Sequence, residues 1–470
     1  TSTKRAYSKV DKPSGAMKEE SALRLSLLFI ALSLILFFLY GKGVYNFYFS
    51  DDFEWLSRSL LVPSDPSEIL RVKGRDFSPL FLSLLTLFTS LSGSLSPVPL
   101  RIFTLLVLAL LGVLLFRRLT TLYGIPPLPI LLSLLLFLFH PYLSESFLNL
   151  SALVYPLSLL LFLCAVGCAV KERPLPFFLL ATGALFMKES SLLLFLPLPL
   201  LPPFRGRRAV RLYLFPLLIP LLLRWGIQLG RWGVYSSFVD KEEVALKFSL
   251  LFQRSLGFPP YFFSPLSALL LSLLLFSGLF LLLRRRPGGL YFPALWFLSL
   301  LFFSLFPKLS GRYLLFPLVG AIGTLALASA WWLKRRPASL ALLLPLLALW
   351  CLFQGGVIRR EVESYRELGE FSRLFLQGQR ETLLRNYPLP SGEGVIVGGG
   401  TEALRDLYGR VQSRGGLPKL LPLRVRGVNG VMEPEDLVPL SYWPERRVRW
   451  VTREWGGGVF FGSFQLLGGS

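Results

Sequence analysis

The chain has 470 residues, 53% of them hydrophobic, with a formal charge of +22 and a mean hydropathy of +0.57. A composition this apolar excludes an ordinary soluble globular protein and points to a polytopic membrane protein. The basic residues gather in short clusters between apolar runs, which is the pattern of membrane topology signals rather than of nucleic-acid binding.

Residues 1–16 are polar and without apolar periodicity. They precede Met17-Lys18-Glu19-Glu20, and we set them aside as an expression-derived remnant or a disordered N-terminal arm. From Leu23 to Phe353 apolar runs of roughly 15 to 22 residues recur, each near the length that crosses about 30 Å of hydrocarbon. Leu dominates them, but no 20 to 29 residue repeat with the spacing of a leucine-rich solenoid is present. Cys164, Cys168 and Cys351 all lie within apolar runs and offer neither a disulfide framework nor a zinc site.

The clusters Arg117-Arg118, Lys171 to Arg173, Arg205 to Arg211, Arg284 to Arg286 and Lys334 to Arg336 mark the cytoplasmic side, and helices are counted between them. The first span covers about 22–40 and exits. Parity then allows only one crossing before Arg117, so the shorter segment 79–93, rich in Ser and Thr, is expected to lie juxtamembrane or re-entrant, and 100–116 to cross. Further spans are expected at about 128–148, 152–170, 175–187, 190–204, 211–225, 264–283, 290–306, 313–333 and 338–356. The total is about 11 spanning helices, with the first outside loop at 41–99. A count of 12 would move the C-terminal region to the cytoplasm.

From about residue 357 the composition turns charged and Gly-rich. Glu361 to Leu384 has the text of an amphipathic helix, Gly394 to Val397 that of a strand, and Gly398-Gly399-Gly400-Thr401 that of a turn into a helix. The expected fold is therefore an all-α polytopic bundle (17–356) followed by a small extracytoplasmic α/β domain (357–470). The glycine run could cradle an anion, but it lacks the spacing of a dinucleotide fingerprint.

The polar residues that break the apolar pattern fall on the side that parity makes non-cytoplasmic. Asp51, Asp52 and Glu54 stand among aromatics just past the first helix, placed to act as a general base or as metal ligands at the membrane surface. Arg71, Lys73 and Arg75 with Asp76 form a basic segment suited to phosphate or to lipid headgroups. His140 is the single histidine, and Glu145 lies near it in an apolar stretch where a carboxylate must find a partner in space. Lys188-Glu189 interrupts two apolar runs. Lys308, Arg312 and Tyr313 place two cations on the outer face against the positive-inside trend, which suits a lipid phosphate.

Taken in order, an acidic pair after helix one, a carboxylate before the next apolar segment, a Pro-centred acidic turn and a Lys-x-x-x-x-Tyr loop late in the chain resemble the GT-C glycosyltransferases. That superfamily includes aminoarabinose transferases, protein O-mannosyltransferases and oligosaccharyltransferases. The resemblance covers about residues 22–335. It implies a helical membrane bundle that moves a sugar from a polyprenyl-phosphate donor to a lipid, protein or glycan acceptor on the outer face of a prokaryotic cytoplasmic membrane. By it, Asp51 and Asp52 look like the catalytic acidic pair, and Asp76 like the acidic residue closing the first loop. Lys308, Arg312 and Tyr313 look like the donor-phosphate loop, with Arg75 and Lys188 as further phosphate contacts. Glu145 stands where many members have Asp, so the resemblance leaves a divalent cation, Mg or Mn, open. No Trp-Trp-Asp-like motif follows the last helix, which favours a single-sugar or small-glycan transferase over an Asn-glycosylating one. A lipid-carrier flippase or a secondary transporter would share the topology. A transporter should show repeated halves with polar residues at mid-membrane.

Overall fold

A computed structural model describes residues 15–46, 52–63, 65–70, 78–92, 96–204, 206, 209–232, 243–259, 262–284, 288–306, 311–385, 395–399, 431–432, 448–456 and 459–466, with side chains described only as far as residue 370. The chain opens with α1 (Gly15–Tyr40), α2 (Asp52–Leu61), α3 (Pro79–Ser92), α4 (Pro97–Tyr123), α5 (Pro127–Leu138), α6 (Leu143–Leu148), α7 (Val154–Val170) and α8 (Pro174–Met187). After these come α9 (Leu192–Phe195), α10 (Leu218–Trp232), α11 (Val244–Ser255), α12 (Pro265–Leu283), α13 (Tyr291–Ser304), α14 (Leu315–Arg335) and α15 (Leu340–Arg385).

Among the described residues, six helical segments are long and apolar enough to cross a membrane: Ala22–Tyr45, Pro97–Tyr123, Leu150–Val170, Pro265–Leu283, Gly311–Arg335 and Pro337–Glu367. Four of the other expected spans correspond to shorter apolar helices, at Pro127–Leu138, Pro174–Met187, Glu189–Leu200 and Tyr291–Ser304. Proline explains two of the differences. Pro141 lies in the break between α5 and α6 inside the expected span 128–148. Pro197, Pro199, Pro202 and Pro203 reduce the expected span 190–204 to one turn of α-helix followed by 3-10 turns. The expected span at 211–225 starts as a π-turn over Val210–Leu214 and becomes α-helical only beyond Pro216. Segment 79–93 is a single 14-residue helix, α3.

α4, α7 and α14 form the centre of the bundle, their buried faces including Leu108, Leu111, Leu159, Phe316 and Leu318. α1, α12 and α15 lie at the periphery and turn large apolar side chains outward, among them Phe38, Leu274 and Leu352. In water such faces would aggregate; here they are the lipid-contacting surface. Small residues set the closest helix contact. A Cβ on Gly320 of α14 would stand 2.5 Å from the backbone nitrogen of Trp296 on α13, so only glycine permits this approach.

α15 is a single 46-residue helix through residue 357. At 1.5 Å per residue it is roughly 69 Å long, so its second half must leave a membrane about 30 Å thick. Beyond it, β1 (Val395–Gly399), β2 (Val431–Met432), β3 (Val448–Gly456) and β4 (Val459–Leu466) form an antiparallel sheet in the order β1-β4-β3-β2. The helix expected after Thr401 lies outside the described residues.

Candidate functional site

The helix directions sort the charged residues to two ends. α4 and α7 run side by side: Arg118, near the end of α4, donates from Nε to the carbonyl of Leu163 just past the middle of α7 at 3.1 Å. At their starts, Arg101 on α4 donates to the carbonyl of Phe147 just ahead of α7 at 2.8 Å. α14 starts beside α7, with Tyr313 edge-on to Tyr155 at 6.1 Å, and finishes at Lys334-Arg335. The clusters Arg117-Arg118, Lys171 to Arg173 and Lys334-Arg335 therefore lie at one end, and Arg101, Tyr155 and Tyr313 at the other.

At that second end Asp52 caps the turn Leu150–Ala152. Its fully buried carboxylate accepts the N–H groups of Leu150 at 2.7 Å and Ser151 at 3.3 Å through Oδ1, while Oδ2 faces Arg101 at 3.6 Å. Ser151 is held by Asn149, and its hydroxyl accepts a hydrogen bond from Arg312 at 2.7 Å. Ser151 thereby joins the start of α2 to the late loop at 311–314. The first loop is itself braced, because Arg58 on α2 pairs with Glu68 at 3.6 Å and lies over the Trp55 ring.

Beside this junction runs a charged triad. Glu189 accepts from Lys188 at 3.0 Å and from Arg224 at 2.5 Å, and Arg224 also donates to the carbonyl of Leu185. Two cations share one carboxylate, so the triad keeps a net positive charge. It faces Tyr155, which lies within electrostatic reach of both Lys188 and Arg312. Tyr313 stacks on Phe303 at 5.0 Å under the Arg312 guanidinium, fixing that side chain against an aromatic floor. Arg312 and Tyr313 thus stand beside Tyr155, with Lys188 on its other neighbour Glu189.

On the opposite flank Glu145 meets the late loop directly. A Cβ at Gly311 would stand 2.6 Å from Glu145 Oε2 and 3.2 Å from the Tyr142 ring. Gly311→Ala is therefore expected to push the Glu145 carboxylate aside and to lower activity about tenfold with little change in thermal midpoint. An unchanged kcat/KM would remove Glu145 from the site. His140, buried in the turn ahead of α6, has its pKa pushed down by burial to about 3, so it stays neutral at ordinary pH.

Of the residues expected from sequence, Asp52, Glu145, Lys188, Arg312 and Tyr313 stand at this end of the bundle. Asp51, Arg71, Lys73, Arg75, Asp76 and Lys308, and the side chain of Glu54, lie outside the described residues. Among the described residues, no three His, Cys, Asp or Glu side chains converge as a metal site. The expectation of a divalent cation rests on the acidic residues of the first loop. Sequence reading missed Arg101, Ser151, Tyr155 and Arg224. Arg101 and Arg224 carried a usable signal, a lone charge inside an apolar run that must find a partner. Ser151 and Tyr155 carried none.

No protein-family model matches the sequence, and no curated protein matches it. Solved structures do match. ArnT from Cupriavidus metallidurans bound to undecaprenyl phosphate aligns over 93% of this chain and 97% of its own, with 14% identity and a TM-score of 0.53. ArnT from the same organism in the apo state aligns over 94% and 98%, with 15% identity and a TM-score of 0.52. The chain thus shares the fold of these ArnT structures.

Proposed function

We propose that the protein transfers a sugar from a polyprenyl-phosphate donor to an acceptor hydroxyl or amine on the non-cytoplasmic face of a membrane. The observation that carries this reading is the Ser151 junction, where the loop bearing the acidic pair and the loop bearing the late cations meet on one residue. A group-transfer site of this kind needs a carboxylate beside an anion pocket, and the two loops supply one each. The neighbour ArnT was solved with undecaprenyl phosphate bound, which agrees with a lipid phosphate as ligand here.

In the proposed reaction Asp51 removes the acceptor proton. The acceptor atom bonds to the anomeric carbon as the bond from that carbon to the phosphate oxygen breaks, and polyprenyl phosphate leaves with the electron pair. Lys188, Arg312, Tyr313 and Lys308 hold the leaving phosphate, with Arg75 as a further contact, so electrostatics and positioning supply most of the acceleration. Asp52 takes a different role within the pair. Its oxygens are committed to the 150–151 turn and to Arg101, so it anchors the loop that presents Asp51. Glu145 and Asp76 are assigned in this proposal to the acceptor. The placement of site and basic clusters at opposite ends agrees with a cytoplasmic basic face.

The test is turnover of a panel of radiolabelled polyprenyl-phosphate sugars by purified protein in lipid, with Asp51→Asn beside wild type. Transfer by wild type that falls at least a hundredfold in Asp51→Asn, at unchanged thermal midpoint, supports the reading. Donor binding without cleavage in wild type, with lipid, protein and glycan acceptors supplied, rejects it in favour of a carrier.

A further inference from the structure

α14 carries its basic residues at the end remote from Asp52 and Arg312. From Tyr313 to Arg335 the chain rises roughly 30 Å, so Trp331, Trp332, Lys334, Arg335 and Arg336 lie at the opposite surface of the bundle. There the chain turns a corner through Pro337–Ser339 and enters α15. Trp332 closes that corner: its indole N–H donates to the Ser339 hydroxyl at 2.9 Å, and the same hydroxyl donates to the Arg336 carbonyl at 2.7 Å. The Arg336 N–H in turn donates to the Trp332 carbonyl at 2.8 Å.

The corner holds two cations in fixed places. A spacing of four residues puts Arg335 over Trp331, its guanidinium carbon 4.1 Å from the ring centroid, and Arg336 over Trp332 at 5.8 Å. A guanidinium packed on an indole is steadied by the ring while the N–H groups at its edge stay available to an anion. Arg335 and Arg336 are exposed, as is Lys334, and among the described residues none of the three is paired with a carboxylate. Beyond the corner α15 leaves Leu342 and Leu346, one turn apart, more than half exposed. In a membrane those leucines face acyl chains. A ligand that satisfies both halves of this surface has an anionic oxygen group on an apolar tail.

We propose that this corner is a binding site for one anionic phospholipid, its phosphate held by the braced guanidinia of Arg335 and Arg336 and its chains lying along Leu342 and Leu346. A basic cluster of any kind attracts an anionic membrane surface. Bracing adds a site to that field, because side chains already held on rings lose less freedom when the phosphate arrives. Among the described residues at this end of the bundle, Arg335 and Arg336 are the cations that stand over indoles.

Native mass spectrometry of the whole chain in neutral detergent, titrated with phosphatidylglycerol or with phosphatidylcholine of equal chain length, reads the affinity for the first bound lipid. Wild type is expected to hold phosphatidylglycerol about tenfold more tightly than phosphatidylcholine. The double variant Arg335→Gln, Arg336→Gln should bring the two lipids within about twofold of each other. Arg335→Lys with Arg336→Lys keeps the charge without the planar fork and should recover only part of the preference. Lys171→Gln with Arg173→Gln removes the same charge from an exposed cluster at the same end and should leave the preference intact. An equal loss in that control overturns the proposal in favour of a general surface field. So does a preference that survives in the glutamine variant, a lysine variant equal to wild type, or a wild type that does not distinguish the two lipids.

Discussion

Asp52→Asn is expected to lower the thermal midpoint of the protein as well as its activity, whereas Asp51→Asn lowers activity alone. The difference follows from where the Asp52 oxygens point. Oδ1 accepts from two backbone N–H groups and Oδ2 faces a buried arginine. An asparagine can keep the first role, but it then turns an amide N–H2 toward the Arg101 guanidinium. Donor faces donor, and a buried cation loses its carboxylate, at a cost of about 3 to 5 kcal/mol. A double-mutant cycle with Arg101→Leu isolates the pair. The double variant should be no less stable than Asp52→Asn alone, with a coupling of about 1 to 3 kcal/mol. A midpoint for Asp52→Asn equal to wild type would sink the anchor role and return Asp52 to candidacy as the base.

Arg312→Ala is expected to reduce transfer by about a hundredfold to a thousandfold, the scale for removing one donor to a developing negative charge in a water-poor site. Two functions are lost together. The guanidinium holds Ser151 at 2.7 Å, tying the late loop to the turn that Asp52 caps, and it contributes charge to the phosphate pocket. Arg312→Lys separates them, because a lysine restores charge without the planar fork and should recover only part of the activity. Lys188→Met is the companion measurement. It leaves Glu189 paired with Arg224, so the fold should hold while affinity for undecaprenyl phosphate falls. Undiminished lipid-phosphate affinity in both Arg312→Ala and Lys188→Met would remove the cationic pocket from the mechanism.

The parts of the site that could be read in advance were those where a residue contradicts its surroundings. Glu145 in an apolar stretch, Lys188-Glu189 between two apolar runs and Arg312 on the outer face each carry a desolvation cost that demands a partner, and each stands at the site end of the bundle. Arg101 and Arg224 obey the same rule, although both lie near span ends, where a charge can reach the interface. Arg224 instead pairs with Glu189 from a fully buried position. The expected lengths of several spans failed for a local reason, since proline ended or irregularised helices that hydropathy alone runs on.

Sequence by itself determined that this chain belongs in a membrane. That follows from transfer free energies, which depend on composition and order alone. Only the tertiary structure decided that Asp52 is tied down and that Ser151 joins the start of α2 to a distant loop. Hydrogen bonding is short-ranged and directional, so which groups meet depends on how the helices cross and where they end, and no one-dimensional pattern encodes that.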